Sequence, residues 1–232
     1  MDGIRLSSTV PSQTPRLLRI QHLGEILELH PEHALFWPAR ETLLLSDLHW
    51  GKAETFQQHG VPVPGSLLQA ELDRLDGLLL RIQPKRVWIL GDLIHSAFGI
   101  TPTLENELSE RLRKWSRWGA RFSLILGNHD RKMKKFPTNW PVDLLEGPFL
   151  ENPFAFAHEP SEIPAGRYGF CGHLHPTTVL RAGADRLRLS CFYFARNHAV
   201  LPAFSHFTRG VIVQKTPDER LFVVADDRVI EI

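Results

Sequence analysis

Cysteine is scarce in this 232-residue chain. The two present, Cys171 and Cys191, are too few for a disulfide framework. Each sits in an apolar run, YGFCG and LSCFYF, and so reads as a small buried residue of a reducing compartment. No apolar stretch approaches the length that spans a bilayer, and the N-terminal MDGIRLSSTVPSQTPRLLRI lacks the apolar core of a signal peptide. Excess charge is missing as well. With 27 Lys and Arg against 26 Asp and Glu the formal net charge is +1, so a nucleic acid would have to be met by a local basic patch rather than by the global field. No internal repeat is found. These absences point to a soluble cytoplasmic protein: a loose Ser/Thr/Pro/Gln-rich tail over residues 1–16, then a single domain over 17–232, its core supplied by an apolar content of 43%.

Short apolar runs alternate with helices through the first part of the chain. Strands are predicted at 17–20, 26–30, 42–46, 86–90, 122–126, 154–157 and 168–171. One helix is predicted over Ser66–Arg81, with Ser66 as N-cap, Leu at 67, 68, 72, 75, 78 and 79, and Pro84 past its end. A second runs from about Leu104 to Trp118 and stops at Gly119, burying Leu108, Leu112, Trp115 and Trp118. From Arg186 onward come β-prone runs with no long helix between them: RLRLSCFYF, HAVLPAF, GVIVQ, RLFVVA and RVIEI. Strand–helix alternation followed by consecutive strands predicts an α/β domain of two packed mixed sheets with helices outside.

Five of the predicted strands end on residues that bind metals. TLLLS runs into Asp47-Leu-His49, RVWILG into Asp92, FSLILG into Asn128-His129-Asp130, FAFA into His158, and YGFCG into His173-Leu-His175. Ligand sites of α/β sheets lie beyond strand ends, so these residues can converge. Side chains two apart on an extended segment share a face, which would pair Asp47 with His49 and His173 with His175. Carboxylate, amide and imidazole groups suit divalent cations. Seven such groups are too many for one tetrahedral ion and suit two ions, with Asp92 as the natural bridge. Two divalent ions, two carboxylates and a bridging hydroxide leave a formal +1, complementary to a phosphodiester; metals about 3.5–4 Å apart are the usual arrangement for activating water against phosphorus. Each motif alone is weak. All five, each after an apolar run, are hard to assign to chance.

The series D-x-H, GD, GNH[DE], H and GHxH over residues 42–176 resembles the calcineurin-like metallophosphoesterases. The resemblance implies a four-layer α/β/β/α sandwich. It also implies that Asp47, His49 and His175 hold one metal, that Asn128, His158 and His173 hold the other, and that Asp92 bridges them. His129 then corresponds to the general acid, with Asp130 orienting its imidazole through a hydrogen bond. The segment GDLIHS, where much of the superfamily reads GDxxD, resembles a narrower group together with SDLHWGKAETFQQHGVPVPG and CFYF…HAVLPAFSHFTRG. That group is the bacterial DNA-ligase-associated metallophosphoesterases, described as DNA damage response endonucleases. Membership would imply a DNA endonuclease acting in repair beside a ligase, an exonuclease and a helicase. The two cations would be manganese first, with iron and zinc also suiting the ligands.

Around this constellation the basic run Arg131-Lys132-Met-Lys134-Lys135 offers a lip for a nucleic-acid backbone, or else a solvated charge run. Phe136 and Trp140 are expected to tuck their loop onto the core rather than stack on bases. In the expected loop Gly51–Gly65, Lys52 can reach a phosphate oxygen and His59 can line the cleft. His95, three residues from Asp92, can hydrogen-bond substrate phosphate or support a ligand. His198 and His206 read as structural, and His22, His30 and His33 as surface residues. Three functions follow. The first is a phosphodiesterase on single-stranded or flapped DNA. The second is a phosphomonoesterase or pyrophosphohydrolase acting on a protein, nucleotide or lipid-linked substrate; the basic-aromatic stretch that would meet a membrane, Arg131–Trp140, is broken by Pro137. The third is a metal-holding scaffold without chemistry, which the filled His129 and Asp130 positions argue against.

Overall fold

The computed structural model describes residues 15–64, 66–183 and 185–232. The expected tail therefore lies outside the described residues up to position 14, while Arg16 is held by its N–H, which donates to the Asp227 carbonyl at 2.7 Å.

Seven strands line up in chain order to form the first sheet: β1 (Leu18–His22), β2 (Glu25–His30), β3 (Ala34–Trp37), β4 (Thr42–Leu45), β5 (Arg86–Leu90), β6 (Arg121–Ile125) and β7 (Val142–Leu145). The first four pair antiparallel through short turns. From β4 to β7 the pairing is parallel. Parallel neighbours need crossovers: α1 (Lys52–Gln58) with α2 (Ser66–Ile82) joins β4 to β5, α3 (Pro102–Arg117) joins β5 to β6, and residues 126–141, with one 3-10 turn, join β6 to β7.

The remaining strands are β8 (Phe149–Glu151), β9 (Phe154–Phe156), β10 (Tyr168–Cys171), β11 (Thr177–Ala182), β12 (Asp185–Phe194), β13 (His198–Val200), β14 (Arg220–Ala225) and β15 (Arg228–Glu231). They build a second mixed sheet in the order β15-β14-β12-β13-β10-β9-β8, with β11 paired to β12.

Alternation along the central strands of the first sheet divides the core. Leu43, Leu45, Val87, Ile89, Phe122 and Leu124 face α2 and α3, where they meet Leu72, Leu75, Leu108, Leu112 and Trp115. Their neighbours Leu44, Trp88, Leu90 and Ile125 face the second sheet and meet Phe154, Phe156, Phe170, Phe192 and Phe222. Both faces are buried, which is why these strands read as unbroken apolar runs. The layer between the sheets is largely aromatic, with edge-to-face pairs such as Trp88–Phe156 and Phe154–Phe170, each with ring centroids 4.9 Å apart. The outer face of the second sheet is covered by Ile163 over Ala155 and Ala157, and by Val213 with β11 residues over Cys191, Leu221 and Val223. No described helix is long and apolar enough to cross a membrane.

Several local expectations are corrected. Strands β3, β7, β8 and β11 were not predicted; β7 and β8 are short segments bounded by Pro141, Pro148 and Pro153 that read as loop. GVIVQ forms no named strand and contributes only a bridge from Ile212 to Thr177. The expected loop Gly51–Gly65 begins as α1, a seven-residue helix that buries no side chain fully and so leaves no apolar stripe. Trp115 is buried, but Trp118 is 38% exposed beneath the Lys114 ammonium, because it lies beyond the last turn of α3. His30 and His33, expected at the surface, are 2% and 4% exposed, whereas both cysteines and Trp140 are buried as expected.

Candidate metal centre

The parallel strands β4, β5 and β6 and the parallel pair β9 and β10 open onto one edge of the sandwich, where their trailing residues meet. Asp47, His49 and His175 bring ligand atoms within 4.8 Å of one another, and so do Asp92, His158 and His173. In the first group His175 Nε2 lies 3.2 Å from Asp47 Oδ1 and 3.3 Å from His49 Nε2. In the second, His158 Nε2 lies 3.5 Å from Asp92 Oδ2 and 2.9 Å from Asn128 Oδ1, while His173 Nδ1 lies 3.2 Å from both Asn128 Oδ1 and His158 Nε2. Asp92 joins the groups, its Oδ2 being 4.0 Å from His49 Nε2. The structure thus brings together all seven residues expected to bind metal.

These residues are not held as the strand argument supposed. Asp47, His49, Asp92, His173 and His175 all have positive φ, between 47° and 69°. They sit on kinked segments past the strand ends, and each left-handed residue redirects the chain. Asp and His tolerate this region better than most non-glycine residues. Gly91 has φ +83°, and a Cβ there would fall 2.0 Å from His158 Nδ1; one on Gly127 would fall 2.2 Å from Asp92 Oδ1. The glycines ahead of Asp92 and Asn128 are therefore demanded by the close approach of a neighbouring ligand.

The donor set fits divalent cations. The His158 Nδ1–H donates to the Leu90 carbonyl at 3.0 Å, which leaves Nε2 as a lone pair facing Asn128 Oδ1 and Asp92 Oδ2. Acceptors pointed at one another without a proton are relieved by a cation between them. Burial pushes the Asp47 carboxyl up, but the hydrogen bond and charge of His175, with His158 and His49, outweigh it and hold Asp47 below its ordinary value. Burial also lowers His49 to about 2, against the pull of Asp47, and so keeps its imidazole neutral and able to ligate. Asp92 is raised, chiefly by burial, despite His158 and the His129 N–H.

His129 stands beside the two groups, half-exposed, with Nε2 4.0 Å from Asp92 Oδ2. Its backbone N–H donates to Asp92 Oδ1 at 2.9 Å. The expected hydrogen bond from Asp130 to the His129 imidazole is absent. His129 Nδ1 is 2.6 Å from the His95 carbonyl instead, and Asp130 accepts backbone N–H groups of Ile94 (3.0 Å), Gly127 (3.0 Å) and Leu93 (3.4 Å). Adjacent side chains on a helical turn diverge, and both residues belong to a 3-10 turn at 130–132 and its cap. Burial raises Asp130 to about 6 against those three donors. A carbonyl only accepts, so Nδ1 carries hydrogen, and a protonated His129 presents Nε2–H toward the centre.

Of the expected substrate contacts, His95 is half-buried and stacks on His129, with ring centroids 4.9 Å apart and planes at 26°; its Nδ1 has no partner. Lys52 begins α1 with its ammonium 5.4 Å from the Phe207 ring, and burial lowers its pKa. Lys132 is exposed and lines a cleft with His95 and His129. Arg131 is not a free cation: its guanidinium is paired with Glu162 at 2.8 Å. His59 turns back to the Thr55 carbonyl, 2.7 Å away.

Two supporting elements escaped the sequence reading. Glu162 accepts the backbone N–H of His158 (3.1 Å) and of Glu159 (3.0 Å) as well as pairing with Arg131, so it fixes the His158 segment. The loop after β13 clamps the first motif, with Phe204 N–H on the Ser46 carbonyl (2.8 Å) and Ser205 N–H on that of Asp47 (3.2 Å); Glu71 anchors it through the Ser205 hydroxyl (2.8 Å). The clamp on the first motif and the Arg131–Glu162 pair are distant in sequence, whereas the Glu162 bonds to His158 and Glu159 are local and form a capping box on the short turn at 160–162.

The model of the calcineurin-like phosphoesterase family matches residues 41–206. Among solved structures, the nuclease MPE of Pseudomonas putida is 32% identical, with a TM-score of 0.79 over 90% of this chain and 97% of that one. Yfce, a phosphoesterase from E. coli, is 15% identical with a TM-score of 0.40 over 80% and 88% of the two chains, too remote to carry an argument. No curated protein matches the chain.

Proposed function

The chain belongs to the calcineurin-like phosphoesterases and is a metal-dependent phosphoesterase; from that premise we propose that it is a dinuclear phosphodiesterase cleaving DNA, manganese-dependent, with a role in DNA repair. The observation that carries the dinuclear reading is Asp92 standing between two triads, 3.5 Å from His158 and 4.0 Å from His49. The substrate class is supported by the likeness to a nuclease over nearly the full length of both chains.

In this reading Asp47, His49 and His175 hold one cation, Asn128, His158 and His173 the other, and Asp92 both. Bound divalent cations polarise phosphoryl oxygens and make water nucleophilic at neutral pH. The chain itself does the rest. His129 donates the Nε2 proton to the leaving oxygen in line with the attack on phosphorus, while the His95 carbonyl holds Nδ1–H and so fixes which nitrogen faces the substrate. Asp130 acts on the loops rather than on the imidazole. Exposed Lys132 attracts the nucleic-acid backbone, and Lys52 lies near enough to the first triad to add to the field there. Ligase, exonuclease and helicase activities are the partners this role implies.

The test is hydrolysis of bis-(p-nitrophenyl) phosphate beside p-nitrophenyl phosphate, with manganese and chelator controls, followed by single-stranded and flapped DNA. A metal-dependent preference for the diester and cleavage of DNA support the proposal. A preference for the monoester replaces it with a phosphomonoesterase.

A further inference from the structure

Beside the triads a cleft of about 400 Å³ opens, its walls formed by His95, Ala97, Phe98, His129, Lys132 and Met133. Phe98 is 76% exposed, more than any other large apolar side chain among the described residues. A phenylalanine so exposed forgoes the stabilisation that burying its ring would give. Its backbone is nevertheless tightly held. Ser96 Oγ accepts the Phe98 N–H at 3.2 Å, the Gly99 N–H donates to the Ser96 carbonyl at 3.1 Å, and Gln58 of α1 donates to the Phe98 carbonyl at 2.8 Å. Gly99 lies so close to α1 that a Cβ there would fall 1.9 Å from the Gly51 carbonyl oxygen and 2.5 Å from Thr55 Oγ1. The turn is locked onto α1, and its ring is presented to solvent at the mouth of the cleft.

We infer that this cleft seats the base of the leaving nucleotide, stacked on Phe98; the inference rests on the nucleic-acid reading above. The side of the centre is set by His129. A group that protonates the leaving oxygen faces the departing part of the substrate, and His129, with His95 stacked on it, is a wall of this cleft. Phe98, Ala97 and Met133 offer an apolar face, and the hydroxyls of Thr55 and Ser96, which also line the cleft, are engaged with the Gly51 carbonyl and the Phe98 N–H. That suits stacking, which every base can satisfy, rather than reading of base edges. Lys132 at the rim supplies a charge for the adjoining backbone phosphate. Phe98 is thus a specificity-determining residue for unpaired nucleotides: a base kept in a duplex has no free face to give it.

The experiment uses a short single-stranded oligodeoxynucleotide with one cleavable linkage, the others being methylphosphonates. It is compared with two versions lacking the base on one or the other side of that linkage. The wild-type protein should discriminate against one abasic version. Phe98→Ala should lower kcat/KM on the intact substrate by about 5- to 150-fold, the loss expected when one stacked base is removed, and leave that abasic version nearly unchanged. Phe98→Trp should restore the discrimination. Equal losses on all three substrates, or no loss on any while wild type cleaves DNA, overturn the inference and leave the nuclease reading standing. If wild type hydrolyses bis-(p-nitrophenyl) phosphate but no oligonucleotide, the nuclease reading fails and this inference with it.

Discussion

Replacing Asp130 distinguishes a residue that positions two loops from one that orients His129. Its carboxylate is 4% exposed and accepts N–H groups from Ile94 and Leu93, which follow β5, and from Gly127, which follows β6. The first segment carries Asp92 and His95, the second Asn128 and His129. At pH 8, above the value of about 6 to which burial raises it, the carboxyl is ionised. A hydrogen bond to an ionised acceptor contributes about 1.5–3 kcal/mol, so the two bonds at 3.0 Å set a loss of about 3–6 kcal/mol for Asp130→Ala. That is a large part of the roughly 5–15 kcal/mol that stabilises a domain. Asp130→Asn keeps the shape but only one acceptor oxygen. Ile94 uses Oδ1 whereas Gly127 and Leu93 use Oδ2, so the amide oxygen keeps the bonds of one position and the NH₂ faces the N–H donors of the other, at a cost of about 1–3 kcal/mol. Urea denaturation of the chelated protein at pH 8 measures both without interference from metal binding. The midpoint should fall in the order wild type, Asn, Ala, with metal affinity falling in parallel. If Asp130→Ala unfolds at the wild-type urea concentration while turnover collapses, the carboxylate acts on His129 and the reasoning is wrong.

His129→Ala should keep both metals by elemental analysis and slow hydrolysis of an alkyl-leaving-group diester by about 10²–10⁴-fold; a much smaller loss removes His129 from the acid role. Asp92→Ala should lose or scramble both ions, since Asp92 adjoins both triads, and two tightly bound ions in that variant would overturn the bridging assignment. Stability should fall as pH drops from about 6.5 to about 4. Burial lowers His30 to about 4 and His33 to about 3, with Arg81 adding to the first and Arg74 and His206 to the second, although the Ala203 carbonyl opposes it for His33. In that window these two histidines hold more protons in the unfolded chain than in the folded one, so their contribution to stability rises with pH, against an opposite contribution from Asp130, which burial raises to about 6. Urea midpoints from pH 7 to pH 4.5 should slope less in His30→Gln and His33→Asn, and unchanged slopes would sink this account.

The clustering of the expected ligand residues was legible because each motif follows an apolar run, and a buried parallel strand announces its own end. The two long helices were legible from their leucine spacing and from Pro84 and Gly119 beyond them. What failed depends on contacts without local cause. The Arg131–Glu162 pair spans 31 residues, so Arg131 read as a free cation. His30, at the end of a predicted strand, and His33, just beyond it, read as surface residues, yet the loop carrying Ala203 comes back over His33, whose Nδ1 lies 2.6 Å from that carbonyl. The pairing of His129 with Asp130 came from resemblance alone, and the geometry of a 3-10 turn sends the two side chains apart.

The left-handed ligands explain why the spacing of the motifs was informative although the conformation assumed for them was wrong. A non-glycine residue held at an uncommon φ costs on the order of 1–3 kcal/mol and persists only when its surroundings fix it. Here they do. Beyond the ends of β4 and β5 the two chains go on pairing: Asp47 N–H donates to Gly91, His49 N–H to Asp92, Trp50 N–H to Leu93 and His95 N–H to Trp50, all between 2.9 and 3.1 Å. On the other side the His173 N–H donates to the Asp47 carboxylate at 3.0 Å. The distance from Asp47 and His49 to Asp92 is therefore set by a main-chain ladder. D-x-H and GD suit these positions because few other side chains can both adopt this backbone and ligate, and because a Cβ in place of the Gly91 hydrogen would strike His158.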